Sequence, residues 1–136
     1  MACTPPVQGT ICEIQWPRGP EATALLPSLS YPHVSHVPKL SYSSFTGSPL
    51  DATLRAAGIS TIYVVGIDTN FCVFATTLSA WELAYDVRVV VDGVTSGDQA
   101  GHEQGLKMLN GFFVTWSSTK RVQLVQSSSI PARGHG

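Results

Sequence analysis

Cys72 is the side chain of this sequence best suited to covalent chemistry. Cys72 follows Ile62-Tyr63-Val64-Val65-Gly66-Ile67-Asp68-Thr69-Asn70-Phe71. The run Ile62 to Val65 is short and β-branched, as a buried parallel strand is. Gly66 breaks it, and Thr69 or Asn70 can cap a helix running through Ala75, Leu78 and Leu83. That spacing sets Cys72 on the first helical turn, where unpaired amides and the helix dipole favour an anion. A thiol so placed ionises more readily and is a better nucleophile. The same residue also fits a plainer role as a small buried apolar side chain. Lys39, taken alone, reads as a solvated lysine in a loop. Asp68, the acid near the cysteine, reads as a base for that thiol or as a solvated turn residue, the second because a carboxylate beside a thiol raises the thiol's pKa. His33 and His36 lie three apart on an extended segment, which turns them to opposite faces, so no metal site is expected.

The elements that must carry these groups follow from the pattern around them. Residues 1–32 hold Pro5, Pro6, Pro17, Pro20, Pro27 and Pro32 and read as irregular surface loop. A short extended piece, His33 to Val37, precedes Lys39. Ser48 can cap a helix over 49–57 that opens at Pro49, buries Leu50, Leu54 and Ala57, and ends at Gly58. After the cysteine helix, Val87 to Val91 reads as a second strand closed by Asp92-Gly93. Ser96 or Asp98 opens a helix to about Asn110, capped by Gly111. Phe112 to Trp116 is a third strand, and Val122 to Val125 a short edge piece. Strand, helix, strand, helix, strand at this spacing predicts an α/β fold with a mostly parallel sheet between helical layers. Reactive groups in such sheets lie beyond the carboxyl ends of the strands. Cys72, Asp92 and Lys39 all follow strands and are expected on one edge.

Composition narrows the function classes. A length of 136 residues fits one domain. A net charge of −1 gives no argument for nucleic acid or an anionic membrane. Charged residues make up only 12% of the chain, so much of the surface is neutral or covered by a partner, and a homo-oligomer is expected. Three cysteines without CxxC spacing give no disulfide framework and no zinc pattern, which points to a reducing, cytoplasmic setting. No secretory signal and no apolar run of about 20 residues is visible.

From Lys39 to about Phe113 the sequence resembles the isochorismatase-like cysteine hydrolases, a superfamily that includes nicotinamidases. Three blocks carry the resemblance. Lys39-x-x-Tyr42-Ser43-Ser44-Phe45 with Gly47-Ser48-x-Leu50-Asp51 resembles the lysine block. Gly66-Ile67-Asp68-Thr69-Asn70-Phe71-Cys72-Val73 with Ala75-Thr76 is similar to the nucleophile block. Ser79-Ala80-x-Glu82-Leu83-Ala84-Tyr85 leading to Val89-Val90-Val91-Asp92 resembles the third, with Ala84 where the family usually has glycine. Val7-Gln8-Gly9-Thr10 also looks like a piece found upstream of the lysine in nicotinamidase-like members.

The resemblance implies a small-molecule amide substrate and a thioester on Cys72; no cofactor is expected, because the metal ligands of nicotinamidases are not matched here. It implies an oxyanion hole from the backbone amides of Asp68 and Cys72, a cis Ile67–Asp68 peptide, and Lys39 stabilising negative charge. Tyr42 and Phe71 would be pocket walls, or ordinary packing. Residues 1–126 are read as one such domain and 127–136 as a disordered tail. The sequence departs from the pattern upstream. Nothing before Lys39 matches the family's first strand ending in aspartate, and the ligands of the nicotinamidase metal site have no counterpart. The expected domain therefore lacks the family's first strands and its third catalytic residue. Three readings stay open. The chain is an N-terminally incomplete hydrolase, a pseudoenzyme that binds a family-like ligand or a full-length partner, or an oligomer subunit whose cysteine is merely buried.

Overall fold

The structure, a computed structural model, describes residues 12–15, 35–110 and 115–120. Its centre is a parallel sheet of three strands. These are β3 (Thr61–Ile67), β4 (Asp86–Thr95) and β5 (Thr115–Ser117), in the order β3-β4-β5. Helix α2 (Phe74–Glu82) connects β3 to β4, and α3 (Gln99–Leu109) lies between β4 and β5 in sequence. The successive residues Val89 and Val90 point to opposite faces of β4 and both are buried, so both faces of that strand are covered. This is the layered α/β arrangement that the strand and helix alternation predicts. The core gathers Val64, Val87 and Val89 from the sheet, Ala80 from α2, Leu109 from α3, and Leu50 and Leu54 from α1 (Leu50–Ala56).

A second, two-stranded sheet pairs β1 (Cys12–Gln15) in parallel with β2 (Ser35–Pro38). The expectation of irregular structure through residue 32 is therefore corrected at Cys12–Gln15. The prolines flank this strand without entering it, since Pro6 precedes it and Pro17 follows it. Pro38 closes β2, where a missing N–H is tolerated.

β4 also runs further than expected, through Asp92-Gly93 to Thr95. Its far end pairs with β3 beyond a register shift, Gly66 with Val94 and Ile67 with Thr95. Gly93 is a close-approach glycine and not a turn glycine. A Cβ there would stand 2.9 Å from Val65 Cγ1.

Two helices end alike. At the end of α1, Gly58 N–H donates to Arg55 O and Ile59 N–H to Leu54 O, with Gly58 at φ 70°. At the end of α2, Ala84 N–H donates to Trp81 O and Tyr85 N–H to Ala80 O, with Ala84 at φ 65°. Both stops need a left-handed residue, which glycine adopts freely and alanine does not. Beyond the α2 stop, Tyr85 turns its hydroxyl to Asp51 Oδ1 at 2.7 Å and lies under the Arg55 guanidinium. Burial, then the Asp51 hydrogen bond, push the Tyr85 hydroxyl up to about 12.

Helix α3 takes Asp98 as its N-cap, with the carboxylate accepting from Gly101 N–H at 2.8 Å. Gly111, Phe112 to Val114, Val122 to Val125 and the 127–136 tail lie outside the described residues. No helix among the described residues is long and apolar enough to cross a membrane.

Candidate active site

The cysteine lies where β3 passes into α2. The Ile67–Asp68 peptide is cis, as the resemblance implies. Thr69–Val73 then form a π-helical turn, wider than the α-helical turn expected, before α2 begins at Phe74. Asp68 O accepts from Phe71 N–H at 3.1 Å and from Val73 N–H at 3.0 Å. Neither of these bonds uses the amide of Asp68 or Cys72. The Cys72 thiol is free and half-buried.

The expected caps are corrected. Asp68, and not Thr69 or Asn70, is the N-cap residue, and its side chain does not cap. The Asp68 carboxylate reaches across and accepts from Gly97 N–H at 3.2 Å. The carboxylate thus ties the turn to the loop after β4. Thr69 and Asn70 also face that loop and α3. Thr69 N–H donates to Ser96 Oγ at 3.0 Å, and Ser96 Oγ donates to Asn70 Oδ1 at 3.0 Å. The Thr69 hydroxyl lies 2.9 Å from His102 Nδ1, and Thr69 is 0% exposed.

Helix α3 presses on this turn through two glycines. A Cβ on Gly105 would sit 2.8 Å from Asn70 N and Thr69 C, both backbone atoms. A Cβ on Gly101 would meet Asn70 Nδ2 at 2.9 Å. None of Thr69, Ser96, His102, Gly101 and Gly105 stands out as functional in the sequence. The signal that was present is Gly101-x-x-x-Gly105 inside a helix, where glycine otherwise weakens the element.

The other side of the turn meets the segment after β2. Lys39 is 8% exposed, which removes the reading as a solvated loop lysine. Its ammonium donates to Tyr42 O at 2.9 Å. The Tyr42 ring stacks on Phe71, with centroids 5.9 Å apart and planes inclined 27°. Both rings are more than half exposed, so they are not ordinary core packing. The two serines that follow clamp this segment onto α2. Ser43 Oγ donates to Ser79 Oγ at 2.8 Å, and Ser44 N–H donates to Thr76 Oγ1 at 3.0 Å. Thr76 and Ser79 are three apart and share a helix face. The lysine block and the residues after Cys72 are therefore two halves of one joint.

Asp92 does not join this group through its carboxylate. Its oxygens accept from Thr119 N–H and Thr119 Oγ, just after β5. Those bonds hold its carboxyl below the usual range. Among the described residues, no three His, Cys, Asp or Glu side chains gather as a metal site. His36 is exposed on β2, and His33 lies outside the described residues.

A cysteine beyond the carboxyl end of a parallel strand, on the turn into a helix, is the arrangement that the resemblance to the isochorismatase-like hydrolases implies. The sequence profile of the Isochorismatase domain matches residues 7–121, and the chain belongs to the isochorismatase family. Among curated relatives, it is 38% identical over 98 residues to the ureidoacrylate amidohydrolase RutB of Methylorubrum extorquens. That match covers 71% of this chain and 40% of the relative, so the chain spans well under half of that protein's length. Among solved structures, an isochorismatase-like hydrolase from Alkaliphilus metalliredigens superposes with a TM-score of 0.74 at 28% identity. That likeness covers 87% of this chain and 71% of the other. The nicotinamidase SaPncA from Staphylococcus aureus is 40% identical, with a TM-score of 0.56, over 59% of this chain and 52% of that one.

Proposed function

We propose that this chain carries a cysteine amidohydrolase site that cleaves the C–N bond of a small amide, with nicotinamide the first substrate to try. The Cys72 sulfur attacks the amide carbonyl, forming an S–C bond while the carbonyl π electrons move to oxygen. The amides of Asp68 and Cys72 hold that oxyanion, and Lys39 stabilises the developing charge. Collapse expels ammonia or an amine, which leaves with the thiol proton. Water then hydrolyses the thioester, releasing the acid and restoring the thiol. Tyr42 and Phe71 form one wall of the pocket. No step calls on a metal or cofactor. The single observation that carries the reading is the buried Lys39 bonded to Tyr42, whose ring stacks on the residue before Cys72. The relatives' names, a ureidoacrylate amidohydrolase and a nicotinamidase, support an amide of a small planar molecule.

A second reading, ligand binding without turnover, is favoured by one observation. The carboxylate nearest Cys72 in sequence, Asp68, accepts from Gly97 N–H and is held in that bond. Incubation with nicotinamide and with ureido amides, followed by intact-mass and peptide analysis, separates the two. An acyl adduct on Cys72, lost in Cys72→Ala, supports hydrolysis. Saturable binding without adduct or acid release supports the second reading. We further propose a homo-oligomer working in the cytoplasm; light scattering of the purified chain tests the oligomeric state, and fractionation of cells expressing a tagged chain tests the compartment.

A further inference from the structure

We infer that His102 is a positioning residue for the cysteine turn, acting through Thr69 to align the amides that receive the oxyanion. The inference rests on the hydrolase reading above. Thr69 is the first residue of the turn and lies one residue after Asp68 and three before Cys72, so its placement sets both proposed oxyanion donors. It is fully buried, and its N–H and its hydroxyl have partners on two different elements. Its N–H is bonded to Ser96 in the loop after β4, and its hydroxyl meets His102 Nδ1 on α3. The contact with α3 leaves little slack. Gly105 admits the backbone of Thr69 and Asn70 so closely that a single methyl would collide with it. A threonine side chain has a few staggered rotamers about one bond, and the His102 ring nitrogen favours the one in which the hydroxyl points to α3. Without that partner the hydroxyl is a buried group in search of another hydrogen bond, and the turn shifts to supply one.

The test compares two reactions of Cys72 that differ in their need for an oxyanion hole. Alkylation by iodoacetamide forms an S–C bond and expels iodide, with no oxyanion. Addition of an aldehyde, pyridine-3-carboxaldehyde or propanal, forms an S–C bond while the carbonyl oxygen takes the thiol proton, giving a thiohemiacetal. That oxygen occupies the place of the oxyanion. His102→Leu and Thr69→Val are expected to weaken aldehyde binding about tenfold, as loss of one aligned hydrogen bond does, while alkylation rates stay within about twofold. His102→Asn, which keeps a polar atom near the Nδ1 position, and Thr69→Ser are expected to restore most of the affinity. These two rescue variants keep the test informative where His102→Leu does not fold. Unchanged aldehyde affinity in Thr69→Val and His102→Leu overturns the positioning role and leaves the hydrolase reading intact. A wild-type chain whose Cys72 alkylates yet binds neither aldehyde overturns both. Equal loss of both reactions in all four variants marks a purely structural contact and also overturns the inference.

Discussion

Behind Cys72, helix α3 comes so close that Gly101 and Gly105 leave almost no room for a methyl group, and Thr69 is wholly buried against His102. In front of Cys72, Phe71 and Tyr42 stack on each other with more than half of each residue in solvent. One turn thus has a rear face packed to contact distance and a front face left open. The difference teaches what each side is for. Close backbone approach and buried hydrogen bonds fix a geometry, whereas exposed aromatic rings offer apolar surface to something outside the chain. Substitutions on the two faces should therefore separate stability from ligand handling.

The largest effect is expected from Gly105→Ala. The methyl would meet backbone atoms, which cannot swing away, so overpacking of up to about 3 kcal/mol outweighs the roughly 1 kcal/mol that alanine gains in a helix. Urea denaturation should show a net loss near 2 kcal/mol, together with altered alkylation of Cys72. Gly101→Ala meets only the ends of the Asn70 and Asp98 side chains, which can give, and should cost much less. Equal stability of the two variants would erase the claim that the rear face is set by backbone contact.

On the front face the order reverses. Phe71→Ala and Tyr42→Ala should slow acyl-adduct formation about tenfold, the scale of an aromatic pair, and leave stability within about 1 kcal/mol. A loss of stability matching that of Gly105→Ala would make the front face a second core.

Two further predictions act as controls, because they lie at the far end of α2. Ala84→Gly should raise stability by about 1 kcal/mol by relieving the left-handed residue, with both faces of the turn unaffected. The alkaline limb of stability should come from Tyr85. Its folded pKa, about 12, lies above the ordinary tyrosine value of 10.0, so its contribution is complete below pH 10 and is lost as pH rises toward 12. Thermal melts between pH 9 and 12 should show this decline, and Tyr85→Phe should flatten it.

The sequence makes the strand, turn and cysteine helix legible because a β-branched run, a glycine and a polar cap site each act locally. It conceals β1, since prolines on either side of a four-residue strand look the same as prolines within it. It conceals the end of β4, because Asp92-Gly93 is the signature of a turn and only the Val65 side chain shows why Gly93 is needed in a strand. The burial of Lys39 is likewise invisible, because the segment that bears it is seated on α2 through Ser43 and Ser44, whose partners lie 36 and 32 positions on. The rear of the site is the least legible part. Thr69, Ser96 and His102 meet across 27 to 33 positions, and no local pattern carries such a pairing.

The joint made by Ser43, Ser44, Thr76 and Ser79 has a mechanical consequence. Two hydrogen-bonded points, one helical turn apart, fix the position of the segment along α2 and leave only rotation about the line that joins them. The segment bearing Lys39 is therefore tied to α2, and a shift of that helix would carry the lysine with it. A ligand that reshapes this region would do so by swinging the Tyr42 and Phe71 rings, and the cation would keep its station relative to α2 throughout.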